Sequence, residues 1–220
     1  MPVELIIWDC DGCLIDSELI ACSVSADMFT AMGYPITAQE MVERFAGVRG
    51  DEIFKIIEAE TGRSFRADFP FEEKERRRKQ VFEQQLKAIP HVVETLDHLG
   101  LPMCIASGSD ERRLKQTLGI TGLYARFEGR IFNSAQVARG KPAPDIFLFA
   151  AAQMKADAAR CLVIEDSPFG VAGAKAAGMT VFGFTGASHV NDAWRERLTL
   201  AGADLLFDDM RRLPVLVAAL

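Results

Sequence analysis

The sequence predicts an α/β protein, a doubly wound parallel sheet with a helical bundle inserted after its first strand. Three observations predict it. From about Pro90 onward, short apolar runs rich in β-branched residues alternate with helical patterns. Between residues 17 and 88 only helical periodicity occurs. Carboxylates, a hydroxyl and a lysine recur just after the apolar runs, at the strand ends where open parallel sheets bind their ligands.

The first strand is the apolar run 3–8 (VELIIW), which ends in Asp9 and Asp11, followed by Gly12. Two acids at such a strand end repel each other unless a cation or a shared proton relieves them. Hard cations with oxygen ligands, Mg²⁺ above all, are the usual relief. A carboxylate there can attack an electrophile and carry it covalently. Its neighbour two residues on can serve as general acid and base. The plainer alternative is a polar strand terminus, because acids are common in loops after strands. Cys10-x-x-Cys13 lacks the second ligand pair that structural zinc requires. Strand alternation turns Cys10 away from the two aspartates.

The insert follows. Ile20, Val24 and Met28 repeat at helical spacing, and Gly33 closes that helix. Thr37-Ala-Gln-Glu40 is a capping box opening a short helix that ends near Gly47. Residues 51–61 place Ile53, Ile56 and Ile57 on one face, with Gly62 as a stop. Residues 71–88 form a long charged helix in which Glu72, Glu73 and Glu75 precede Arg76, Arg77 and Lys79 by four positions. Such pairs mark a solvated face rather than a nucleic-acid surface. The domain division expected is therefore a core of residues 1–15 and 89–220 and a helical domain of residues 16–88.

After Pro90 a helix (91–99) leads to a strand (101–106) that ends in Ser107-Gly108-Ser109. A helix over 110–118 and a weaker strand over 130–133 follow. A loop with Gly140-Lys141-Pro142 comes next, and Pro144 suits a helix start. Residues 161–164 make another buried strand, ending in Glu165-Asp166, and a helix over 168–177 stops at Gly178. Strands over 180–184 and 204–207, with a helix between them and one at the end, complete a Rossmann-like sheet with right-handed crossovers.

A net charge of −6 argues against non-specific nucleic-acid binding. No apolar run is long enough to span a bilayer, and no signal-like segment opens the chain. The odd count of five cysteines fits free thiols in a reducing compartment. The expectation is a cytoplasmic protein without membrane or nucleic-acid partners, monomeric, with a homodimer as the alternative.

The strand ends share one edge of the sheet, so Asp9, Asp11, Ser107, Lys141, Glu165 and Asp166 are expected to meet there. A hydroxyl beside Gly108, with backbone N–H groups opening a helix, can hold phosphate oxygens. Lys141 adds a point charge to the same oxygens. The second acidic pair completes an oxygen cage for a hard divalent ion. Together these groups describe phosphoryl transfer by positioning and charge neutralisation. Taken singly, Ser107 reads equally as a helix N-cap, Lys141 as a solvated lysine and Glu165-Asp166 as a cap for the next helix. Their joint order along one edge favours the site.

DCDGCLIDSE, IASGS, GKPAPDIF and VIEDSPFGVAGAKAAGM resemble the four motifs of the haloacid dehalogenase superfamily, over essentially the whole chain. The insert is similar to the helical cap of its phosphoglycolate phosphatase and β-phosphoglucomutase subgroup. The resemblance implies Asp9 as the nucleophile that forms an aspartyl-phosphate and Asp11 as the acid/base. It implies Ser107, Gly108 and Lys141 around the phosphoryl group. It further implies Mg²⁺ held by the Asp9 carboxylate, the Asp11 carbonyl and Asp166, with Glu165 in support, and a cap that closes about hinges near 16–17 and 88–90. The acid at Asp11 favours phosphate chemistry over dehalogenation. Lys55 is the candidate for the Schiff-base lysine of phosphonate-cleaving relatives, though nothing requires it there. The gating histidine of the mutases is matched by Ala21, and their cap lysine and arginine by Ala46 and Gly50. The expectation is a phosphatase for a small phosphorylated metabolite, such as a sugar phosphate. A phosphomutase and a non-catalytic phosphometabolite-binding regulator are the alternatives. Arg44 and Arg49 are candidates to meet a second anionic group of the substrate, or else are solvent-facing arginines. His91, His98 and His189 lie outside every motif and carry no expected role.

Overall fold

The computed structural model describes residues 2–45, 48 and 50–220. The chain divides into two compact units, Met1–Asp16 with Lys87–Leu220, and Ser17–Leu86.

The first unit is built on strands β1 (Leu5–Trp8), β2 (Met103–Ser107), β3 (Ile131–Asn133), β4 (Cys161–Glu165), β5 (Thr180–Phe184) and β6 (Leu205–Phe207). They form one sheet in the order β3-β2-β1-β4-β5-β6, every pairing parallel. From β1 the chain winds outward through β2 and β3, then returns to β4 and winds outward the other way. The reversal opens a crevice at the carboxyl ends of β1 and β4. All four residues of β1 are buried, as a central strand covered on both faces requires.

Seven α-helices of this unit connect and cover the strands. In the numbering that counts the insert's four helices first, they are α5 (Val92–His98), α6 (Glu111–Ile120), α7 (Tyr124–Phe127), α8 (Asp145–Gln153), α9 (Pro168–Ala176), α10 (Asp192–Leu200) and α11 (Leu213–Ala218). Three of them, α6, α9 and α10, start on side-chain caps. Asp110 accepts from Arg113 N at 2.9 Å, Ser167 from Gly170 N at 3.0 Å and Asn191 from Trp194 N at 2.9 Å. No helix among the described residues is long and apolar enough to cross a membrane.

The second unit is helical, with α1 (Glu18–Ala31), α2 (Ala38–Phe45), α3 (Gly50–Thr61) and α4 (Phe71–Gln85). The capping box at the start of α2 is reciprocal: Thr37 N donates to Glu40 Oε2 at 2.8 Å, and Glu40 N donates to Thr37 Oγ1 at 3.2 Å. The core is an aromatic cluster, with Phe69 centred 5.0 Å from Phe29 and 4.9 Å from Phe54. That cluster explains why α3 buries Phe54 and Ile57 while Ile53 and Ile56 are only half-buried. On α4, Glu73 bonds both Arg76 and Arg77 at 2.7 Å, Glu75 pairs with Arg78, and Lys79 stands 4.0 Å from Glu83.

The last helix of the insert ends at Gln85, three residues short of the expected 88. Lys87 and Ala88 are taken by pairing instead. Asp16 N donates to the Lys87 carbonyl at 3.0 Å, Ile89 N donates to the Leu14 carbonyl at 2.9 Å, and Ala88 bridges Ile15 antiparallel. The residues Ala46, Gly47 and Arg49, named above for the insert, lie outside the described residues.

Candidate active site

Asp9 is the first residue past β1 and continues its ladder, donating its N–H to the Ile164 carbonyl of β4 at 2.9 Å. Its side chain is therefore delivered to the crevice beside the end of β4, and the residue is buried. The chain then turns sharply. Gly12 N donates to the Ile15 carbonyl at 2.8 Å and Leu14 N to the Cys10 carbonyl at 2.9 Å. Gly12 has φ +80°, and a Cβ there would lie 1.9 Å from Asp166 Oδ2. Both facts demand glycine, one by backbone conformation and one by space.

Lys141 arrives from the loop between β3 and α8, next to a cis bond to Pro142. Its Nζ stands 2.5 Å from Asp9 Oδ1 and 2.5 Å from Glu165 Oε1. The other oxygen of Glu165 accepts from Ser167 N at 2.9 Å and Ser167 Oγ at 3.0 Å. Glu165 is fully buried, and a Cβ at Gly170 would approach its Oε1 to 1.7 Å, so α9 presses its bare backbone on this carboxylate. Burial alone would lower the Lys141 pKa, but the Asp9 and Glu165 carboxylates outweigh it and hold the ammonium above the ordinary lysine value. Burial raises the Asp9 carboxyl well above its ordinary value; Lys141 opposes this, and the carboxylates of Glu165 and Asp166 add to it.

Asp11 faces the end of β2. Its Oδ2 accepts from Ser109 Oγ at 2.6 Å, and its Oδ1 from an Arg113 guanidinium N–H at 3.1 Å. Ser107 is buried, and its Oγ accepts the Ser109 N–H at 3.1 Å. Gly108 is exposed, its carbonyl accepts from Ser134 Oγ at 2.9 Å, and a Cβ there would meet nothing within 4 Å. Asp9, Glu165 and Asp166 thus form one buried cluster, with the half-buried Lys141 reaching into it. Ser107 joins Asp11 through the 107–109 turn.

Three contacts had no counterpart in the sequence reading. Ser109 and Arg113 hold Asp11, and His189 Nε2 stands 3.2 Å from Asp166 Oδ2. The first two lie just beyond the IASGS motif, where a second hydroxyl and a first-turn arginine are visible signals. His189 belongs to a loop after β5 that carries no motif. In the helical unit, Arg44 bonds Tyr34 Oη at 2.7 Å and Glu60 Oε1 at 2.5 Å, a surface network of that unit's own.

The donor set can be tested against a cation. Asp9, Glu165 and Asp166 each offer a carboxylate oxygen, all within 4.8 Å of one another, and all three residues are buried. Three buried hard-oxygen donors around one point suit a hard divalent ion and leave mutual repulsion to be relieved by it. The residues present fit such a group. The five cysteines are free and buried, and the Cys10 and Cys13 thiols are pushed well up in pKa by burial first and by the neighbouring acids second. That is the opposite of what thiolate ligation needs.

Fold and site together define a doubly wound α/β enzyme with a buried acid–lysine cluster at the crevice of its sheet. The chain belongs to the haloacid dehalogenase-like hydrolase family, whose model matches residues 6–184. It is 29% identical over 190 residues to the 6-phosphogluconate phosphatase of Escherichia coli K12, covering 85% of each chain. Among solved structures, a haloacid dehalogenase-like protein of unknown function from Agrobacterium tumefaciens superposes with a TM-score of 0.91. It is 42% identical, over 99% of this chain and 98% of the other. A hydrolase of the same family from Deinococcus radiodurans, crystallised with phosphate and sodium, gives a TM-score of 0.82 at 31% identity, over 99% and 96% of the two chains.

Proposed function

We propose that the protein is a Mg²⁺-dependent phosphatase that hydrolyses a small phosphorylated metabolite, a sugar phosphate or similar phosphomonoester, through an aspartyl-phosphate on Asp9. The observation that carries this reading is the convergence on Asp9. Its Oδ1 lies 2.5 Å from Lys141 Nζ, while a carboxylate oxygen of Asp9 shares one buried cluster with Glu165 and Asp166. The E. coli relative supports the substrate class by its name, and the D. radiodurans structure by its bound phosphate.

In this reading Asp9, the Asp11 carbonyl and Asp166 would hold Mg²⁺, with Glu165 in support, and the ion would supply positive charge against the phosphate oxygens. Asp9 attacks the phosphorus, and Lys141 offsets the negative charge of the nucleophile and of the phosphoryl oxygens. Ser107 and the backbone at Gly108 orient those oxygens. Asp11, freed from Arg113 and Ser109, gives its proton to the departing alkoxide and then takes one from the attacking water. The helical unit serves as the substrate-selecting cap. Five free buried thiols suit a reducing, cytoplasmic compartment.

The test is phosphate release from a panel of sugar phosphates and other phosphomonoesters, with Mg²⁺ or with chelator, for the native protein and Asp9→Asn. Release that requires both Mg²⁺ and Asp9 is expected. Release that persists in Asp9→Asn, or that ignores the chelator, overturns the reading. Transfer of phosphate to a second substrate hydroxyl instead of water would establish the phosphomutase alternative.

A further inference from the structure

His189 is a buried imidazole outside every recognised motif, and its position calls for an explanation. Burying a polar ring is costly unless it is partnered. Its Nε2 lies 3.2 Å from Asp166 Oδ2, and its ring meets the Trp194 indole edge-to-face at 5.4 Å and 82°. The same Trp194 donates its indole N–H to the Asp166 backbone carbonyl at 2.7 Å. The Cys13 thiol reaches the other carboxylate oxygen, Oδ1, at 3.7 Å. Asp166 is thereby bonded at its main chain and at Oδ1, and its Oδ2 lies at ion-pair distance from the His189 ring, while each oxygen keeps a lone pair for a cation.

The loop that carries His189 is itself tied down. Asp16 Oδ1 accepts from Ser188 N at 3.1 Å and from Ser188 Oγ at 2.8 Å. Asp16 is the last acid of the DCDGCLID motif, and the proposed function gives it no task. Its backbone N–H grips Lys87, the residue at which the chain re-enters the sheet unit. The line of contacts therefore runs within the sheet unit from the Asp16–Lys87 pairing, through Ser188 and His189, to Asp166.

We propose that His189 is a positioning residue that fixes the Asp166 carboxylate for metal binding, and that Asp16 holds the loop on which His189 stands. The inference rests on the reading of Asp166 as a metal ligand. Hydrogen-bonded partners of ligating groups set ligand orientation, and their loss costs about 10–100-fold in metal affinity. A buried histidine that only fills space would not touch that affinity.

The experiment is calorimetric titration of the full chain with Mg²⁺ alone, in native, His189→Phe, His189→Gln and Asp16→Ala forms, with thermal unfolding in chelator as the fold control. His189→Phe keeps the packing against Trp194 and is expected to weaken Mg²⁺ binding by about ten-fold or more at an unchanged metal-free melting temperature. His189→Gln restores an N–H near Oδ2 and is expected to recover most of the loss. Asp16→Ala is expected to weaken Mg²⁺ in the same direction. Native-like Mg²⁺ affinity in His189→Phe, or no recovery in His189→Gln, overturns the proposal. Should His189→Phe fail to fold, His189→Gln and Asp16→Ala decide it, the first binding Mg²⁺ like the native chain and the second more weakly if the proposal holds. A native chain that binds no Mg²⁺ refutes the metal reading itself, an outcome distinct from equal binding by all forms.

Discussion

Adding one methyl group at Gly12 should cripple the site. The alanine Cβ would stand 1.9 Å from Asp166 Oδ2 and 2.5 Å from Asp166 Cγ. A carbon–oxygen contact needs about 3.3 Å, so the carboxylate must yield by roughly 1.4 Å. Asp166 is buried and already engaged by His189 and Cys13, so that movement breaks existing contacts. Misplacement of about 1 Å at a reacting centre costs about 10²-fold. The backbone adds its own cost, because φ +80° in a residue with a Cβ is unfavourable by about 1–2 kcal/mol. Gly12→Ala is therefore expected to lose about 100-fold in Mg²⁺-dependent kcat/KM and about 1–2 kcal/mol in urea unfolding measured with chelator. Turnover within about three-fold of native would refute the reasoning, since it would mean that Asp166 can move without consequence for the chemistry.

Two further predictions follow from the same geometry. Lys141→Met leaves Asp9 and Glu165 facing each other without their shared cation, both 2.5 Å from the ammonium it removes. Breaking a buried ion pair by deleting one partner costs about 3–5 kcal/mol, and urea unfolding in chelator should show a loss of that order; a loss below about 1 kcal/mol would contradict it. At Cys161, burial first, then Asp157 and Glu4, push the thiol from 9.0 to about 11. The folded state resists deprotonation more than the unfolded chain does, so this contribution is intact below pH 9.0 and is lost as pH climbs to about 11. Replacing Cys161 by Val should flatten that part of the alkaline unfolding profile, and an unchanged slope would contradict the assignment.

The sheet and the side-chain cluster at its edge were legible in the sequence for a simple reason. A parallel strand delivers whatever follows it to the same edge, so Asp9, Ser107 and Glu165 could be brought together from three separate segments without knowing the intervening distances. Lys141 belongs to a loop, and only its place in the GKPAPDIF motif and its charge linked it to that edge. What the sequence hid was decided by tertiary competition. Lys87 and Ala88 suit a helix, yet they pair with Leu14–Asp16 instead and end α4 at Gln85. On α3 the aliphatic periodicity favoured Ile53 and Ile56, but the ring cluster around Phe69 draws Phe54 inward. Arg44 has the charge of a substrate-binding residue and spends it on Glu60 and Tyr34. His189 was invisible because a loop histidine carries no periodicity and no spacing rule. Its role depends on Asp166 being 23 residues earlier in the chain and 3.2 Å away in space.

The central claim is that Asp9 attacks phosphorus and carries the phosphoryl group. The most direct measurement is rapid acid quenching of the native protein mixed with its best substrate and Mg²⁺, followed by borohydride reduction and peptide mapping by mass spectrometry. An acyl phosphate on a carboxylate is reduced to the alcohol, so position 9 should be found as homoserine, in proportion to the phosphoenzyme present. Omission of Mg²⁺ or of substrate should abolish it. An unmodified Asp9 in a sample that is turning over, or the label on any other residue, would contradict the account.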